Sequence, residues 1–155
     1  MITVRRAFVS TAFVMGCLIS GADAALAEES KSIEIKLSTK GNDIAFDQTA
    51  VQIPCCKLIK LKFVNEASKD SEIQHNIAIL EPGSTEKVIK DLQKMNYDIE
   101  KIRSNKAVLA MTKPLTPGEA GILEFTPKKP GFYPFICLMP GHGDMLNMRG
   151  ILNIK

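Results

Sequence analysis

From Phe135 to Gly150 the chain reads Phe-Ile-Cys-Leu-Met-Pro-Gly-His-Gly-Asp-Met-Leu-Asn-Met-Arg-Gly. Cys137, His142, Met145 and Met148 thus bring a thiol, an imidazole and thioethers into one short stretch. Soft sulfur donors combined with imidazole are the set that copper prefers. Two His and one Cys in a plane, with a long axial Met, make an electron-transfer site. Its geometry lies between those that Cu(I) and Cu(II) would choose, so little has to move when the electron arrives. The loop carries one imidazole, and the chain has only two His. The other is His75, in Ile73-Gln74-His75-Asn76-Ile77.

Singly, each of these residues has an ordinary reading. A lone strand His is usually a hydrogen-bonded core or surface residue, and a lone Cys a buried thiol. Met139, Met145 and Met148 could be loop packing. Together, with a second His upstream, they point to a metal. Zinc also takes Cys and His, but a structural zinc site needs four firm ligands, and Met is a poor one. An enzyme built on copper needs further His-rich sites, and no His is left for one. No Ser-His-Asp arrangement is available either.

Elements must bring these groups together. Pro140-Gly141 turns the chain after Cys137 and can swing His142 back toward the sulfur. A second turn over Gly143-Asp144 can return Met145 or Met148 to the same point. Upstream, Ile33, Ile35 and Leu37 alternate with Glu34 and Lys36, and Ile59, Leu61 and Phe63 with Lys60 and Lys62. That period of two puts apolar side chains on one strand face. Further strands are expected at Ala50–Ile53, Ile73–Leu80, Ala107–Met111, Gly121–Phe125, Gly131–Cys137 and Gly150–Ile154. Turn signals at Gly41-Asn42-Asp43, Pro82-Gly83, Pro117-Gly118 and Pro130-Gly131 separate them. The fold class predicted is all-β, an antiparallel sandwich or barrel. One helical insertion, Ser84 to Arg103, interrupts it. Val88, Leu92, Met95, Ile99 and Ile102 form its apolar stripe. Ser84 or Thr85 can cap it, and the weak helix formers Asn96 and Asp98 allow two short pieces. It reads as packing, without chemistry of its own.

Residues 1–27 read as an export signal: Arg5 and Arg6, an apolar run from Ala7 to Ile19, then small residues up to Ala27. The run is too short for a comfortable membrane span. Cys17 sits in a loose lipoprotein box that Met15 fits badly, so acylation there is the lesser expectation. One domain, residues 28–155, remains. The whole chain carries a net charge of +3, which gives no reason to expect nucleic-acid binding. Three cysteines follow the signal: Cys55, Cys56 and Cys137. An odd number in an oxidising compartment leaves at least one thiol for another task.

The chain resembles the cupredoxins, and within them the azurin-like blue copper proteins, a group that includes plastocyanin and auracyanin. Gly41-Asn42-Asp43 with Phe46, Cys56-Lys57, His75-Asn76, the Cys137-Leu138-Met139-Pro140-Gly141-His142 loop and Met148-Arg149-Gly150 carry the likeness. The resemblance implies a Greek-key β-sandwich and one copper ion cycling between Cu(I) and Cu(II). It makes His75, Cys137 and His142 equatorial ligands and Met148 the axial one. Asn76 would pin the ligand loop to the neighbouring strand. The chain departs from the azurin pattern in three places. The stretch from His142 to Met148 is longer, which makes Met145 an alternative axial ligand. Gln74 stands where a Gly would offer its carbonyl to the metal, so a weak carbonyl ligand there is a secondary expectation. Cys55 and Cys56 are adjacent, with no N-terminal Cys to pair with. They could be free, joined as a vicinal disulfide, or paired between chains.

The expected function is a periplasmic type 1 copper protein carrying one electron between redox partners, not an enzyme. Partners would be exported c-type cytochromes or copper enzymes. They would dock on Met139, Pro140, Met145 and Leu146 around the ring edge of His142. The alternative is copper binding for delivery or resistance, in which the site gives its metal away.

Overall fold

The computed structural model describes residues 32–155, so the segment read as an export signal and Cys17 lie outside the described residues. Eight strands form two sheets: β1 Ile33–Ser38, β2 Ala50–Ile53, β3 Ile59–Val64, β4 Ala78–Leu80, β5 Val108–Met111, β6 Ala120–Phe125, β7 Gly131–Ile136 and β8 Arg149–Ile154. One sheet has the order β1-β3-β6 and the other β2-β8-β7-β4-β5. The expected antiparallel pattern is broken twice, because β1 pairs with β3 in parallel and β2 with β8 in parallel. Long connections make this possible, since β2 lies between β1 and β3 in sequence and joins the other sheet.

The alternation read in the sequence becomes the core. Ile59, Leu61 and Phe63 are wholly buried, while Lys60 and Glu124 form an ion pair on the outer face. Phe46 stacks edge-on against Phe63 and Phe135 between the sheets. Gly150 lies flat on the Phe135 ring, where an added Cβ would come within 2.1 Å of a ring carbon.

β4 is buried on both faces, which explains its unbroken apolar run. Ile79 faces the sandwich, while Ala78 and Leu80 join a second cluster beneath the helical insertion. That insertion consists of α1 Thr85–Lys94 and α2 Ile99–Ile102. The break falls at Asn96 and Tyr97, both with positive φ. Asp98 caps α2 by accepting from the Lys101 amide. Ser84 holds the cap position of α1, but its hydroxyl donates to the Glu81 carbonyl and caps nothing. Val88, Leu92 and Ile102 are buried as the stripe requires, whereas Met95, at the C-terminal cap of α1, is exposed.

The strand expected over Ile73–Leu80 is shorter than its sequence suggests. Only Ala78–Leu80 forms a ladder. Before it, His75 makes a single two-way bridge to Leu115, and the Ile77 amide donates to the Thr112 hydroxyl. Side chains replace ladder partners here and leave His75 at the mouth of the sandwich. Among the described residues no helix is long and apolar enough to cross a membrane.

Candidate metal centre

Cys137 follows the last residue of β7. Strand alternation continues past it: Phe135 and Cys137 point into the sandwich, Ile136 and Leu138 toward the insertion. The sulfur is therefore aimed inward, and Cys137 has no exposure. Its amide donates to the Met148 carbonyl at 3.1 Å, so the two ends of the ligand loop lie side by side. Between them Gly141, at φ 80°, turns the chain. The His142 amide donates to the Met139 carbonyl, and the Met148 amide to the His142 carbonyl at 2.9 Å. Gly143 packs directly on the Cys137 carbonyl, with room for no side chain.

His75 arrives from the other side, fully buried. The Asn65 side-chain amide donates to the carbonyls of Ile73 and Leu115, which brackets the His75 bridge. The side-chain oxygen of Asn76 accepts from the Leu138 amide at 2.7 Å. That bond ties the His75 segment to the residue after Cys137.

The result is a convergence of donors. Nδ1 of His142 lies 3.5 Å from the Cys137 sulfur, and Nδ1 of His75 lies 4.0 Å from it. The three potential ligand groups fall within 4.8 Å of one another. Their rings are tilted by 49° with centroids 4.8 Å apart. Burial pushes the His75 imidazole down to about 4, helped by the neighbouring His142, and lowers His142 as well. Both rings are then neutral near pH 7, with lone pairs available. Burial pushes the Cys137 thiol up to about 11, so a cation must displace its proton to bind the thiolate. One thiolate and two neutral imidazoles around a single point fit copper.

Met148 and Met145 separate cleanly. Met148 is 1% exposed and belongs to the same core cluster as Cys137, whereas Met145 is 80% exposed. Pro140 and Leu146 are also exposed, Met139 and His142 half-buried. Gln74 is exposed and immediately precedes His75. Cys55 and Cys56 form a vicinal disulfide at the other end of the sandwich, where the Cys55 amide donates to the Lys155 carbonyl.

Sequence reasoning missed several residues that position this site. Asn65, Tyr97, Gln93 and Glu86 are polar residues outside any apolar pattern. Only the fold reveals that they approach the ligand segments. Asp144 accepts from Tyr97 and Gln93, and Arg149 donates to the Gly143 carbonyl and to Glu86.

Comparison with known proteins gives the same picture. Auracyanin-B of Chloroflexus aurantiacus is 27% identical over 129 residues, covering 81% of this chain. The chain spans about half, 54%, of that relative's length. The dithionite-reduced auracyanin of Roseiflexus castenholzii superposes with a TM-score of 0.67 at 27% identity, covering 79% of this chain and 96% of that one. The azurin of Methylomonas sp. strain J shares the fold, with a TM-score of 0.66 at 21% identity over 79% of this chain and 98% of its own. The family model for copper binding proteins, plastocyanin/azurin family, matches residues 33–155. With that match running through both sheets and all of the converging donors, this chain belongs to the plastocyanin/azurin family of copper-binding proteins.

Proposed function

We propose that this protein is an exported one-electron carrier with a mononuclear copper site held by His75, Cys137 and His142, with Met148 as axial ligand. The observation that carries this reading is the convergence of two imidazole Nδ1 atoms and one thiol in a buried setting. When bound, copper supplies a one-electron couple between Cu(I) and Cu(II). The chain supplies rigidity. Every ligand segment is tied by a backbone bridge or a side-chain hydrogen bond, which suits a site that keeps its metal through repeated redox cycles. Burial of Met148 beside Cys137 supports it over the exposed Met145 as axial ligand. The Gln74 carbonyl is a further weak donor in this reading.

His142 is half-buried and neighbours the exposed Pro140, Met145 and Leu146. With Met139 these form the docking patch for transient redox partners, for which we infer periplasmic c-type cytochromes or copper enzymes. The segment up to residue 27 would direct export, leaving the domain from Glu28 onward in the periplasm. Visible absorption tests the reading. The Cu(II)-loaded protein should show an intense thiolate-to-copper band that bleaches with a mild reductant and returns on reoxidation. A colourless protein that nevertheless binds Cu(I) would overturn it in favour of copper handling.

A further inference from the structure

The helical insertion meets the ligand loop along a seam. Ile89, Leu92 and Ile102 pack against Ile136 and Leu138, the residues flanking Cys137 on its outer side. The seam is nearly closed, with a gap of about 10 Å³ between the two parts, room for one water at most. At its rim the contact turns polar. The Tyr97 hydroxyl donates to the Asp144 carboxylate, and the Gln93 side-chain amide donates to the same oxygen at 3.2 Å. A second tether lies close by: Arg149 donates to Glu86 at 2.9 Å and, through Nε, to the Gly143 carbonyl.

The positions of these tethers matter. Asp144 follows His142 by two residues, and Arg149 directly follows Met148. They grip the loop just beyond each of those side chains. The tethers differ in strength. Glu86 is largely exposed, so its ion pair contributes little. The Tyr97–Asp144 bond is partly buried and has an ionised acceptor, which makes it stronger than the Glu86 pair. Tyr97 also holds φ 59°, an unfavourable backbone state for a bulky residue that persists only where its surroundings demand it.

We propose that Tyr97 and Asp144 form a latch through which the helical insertion positions His142 and Met148, an inference that rests on reading those two residues as copper ligands. Tyr97 and Asp144 are positioning residues and touch no metal. Without the latch Asp144 loses its hold on the insertion, the loop between His142 and Met148 keeps only the Arg149 tether to it, and the geometry around copper relaxes.

The test compares copper-loaded wild type with Tyr97→Phe, Asp144→Asn, Asp144→Ala and a packing control in the other sheet, Ile59→Val. Copper release to a chelator, the position of the thiolate band, the reduction potential and the urea stability of the apoprotein are measured on each. Tyr97→Phe and Asp144→Ala are expected to release copper about tenfold faster, the loss typical of a hydrogen bond to a charged group. Their band and potential should shift together. Asp144→Asn keeps an acceptor for the hydroxyl and should fall between wild type and Asp144→Ala. The double variant should release copper no faster than the worse single one, because both remove the same bond. Ile59→Val should lower stability and leave band, potential and release unchanged. The latch is overturned by Tyr97→Phe and Asp144→Ala proteins that lose stability as the control does while band, potential and release stay within twofold of wild type. The two Asp144 variants carry the test independently of Tyr97. A wild-type protein without the band would overturn the ligand reading and the latch with it, whereas a normal wild-type band that no latch variant alters overturns the latch alone.

Discussion

β8 runs from one end of the sandwich to the other, and the two ends are closed by different means. At its Arg149 end it emerges from the ligand loop. There Cys137, His142 and Met148 are held by backbone bonds, by the Asn76 amide and by glycine packing. At its Ile154 end it receives a bond from Cys55, whose neighbour Cys56 closes a disulfide. The first end gathers ligand atoms that face one another, the Cys137 sulfur with Nδ1 of His75 and Nδ1 of His142. Such an arrangement costs stability in the absence of a metal. Among the described residues the second end holds no comparable cluster. The difference teaches where this molecule spends stability on chemistry: non-covalent bonds shape the ligand end, and the covalent link sits at the far end.

The ligand end depends most of all on its sulfur. Cys137→Ser should abolish the visible copper band while leaving far-UV circular dichroism unchanged, since a hydroxyl is a poor partner for soft copper. Gly143→Ala should act on both fold and site. Its new methyl would meet the Cys137 carbonyl at 2.3 Å, so the loop must move. We expect a loss of about 1–3 kcal/mol in urea unfolding, as for an overpacked core, together with a shifted band. Asn76→Ala leaves the buried Leu138 amide without its acceptor. About 1–3 kcal/mol should be lost, and copper release should quicken.

Acid should weaken the ligand end of the apoprotein selectively. His75 is held near 4 in the fold against 6.5 in the unfolded chain. Its contribution is therefore present above about pH 6.5 and lost as pH falls toward 4. Urea midpoints measured across that window should decline, and a His75→Gln protein should show a flatter profile. The smallest effect on the site is expected at the far end. Replacing Cys55 and Cys56 together by Ser should leave the copper band and potential unchanged. It should cost less than about 2 kcal/mol, because a disulfide between neighbours constrains only a very short loop. A changed band in that variant would show that the two ends are coupled.

Much of the ligand end was legible in the chain. Cys137, His142, Met145 and Met148 fall in one loop, Pro140-Gly141 announces its turn, and with only two His the upstream partner could only be His75. The alternating strands β1 and β3 were equally plain, because a period of two is a local property. The parallel pairings were not, since register and neighbour choice depend on which distant strand completes a sheet. The seam with the insertion was also hidden. Tyr97, Gln93 and Glu86 lie among ordinary polar positions, and their spacing carries no sign of Asp144 or Arg149.

Residue chemistry and short-range spacing by themselves determined the kind of site, the loop that carries it and the two-period strands that frame it. These are legible because ligand softness, turn propensity and pleat alternation act over a few bonds. Tertiary structure alone decided that Met148 is buried and Met145 exposed, that Cys55 and Cys56 pair with each other, and that the helices reach the ligand loop. Each of those outcomes depends on which surfaces meet when two sheets and an insertion pack, and packing joins residues that no local spacing connects.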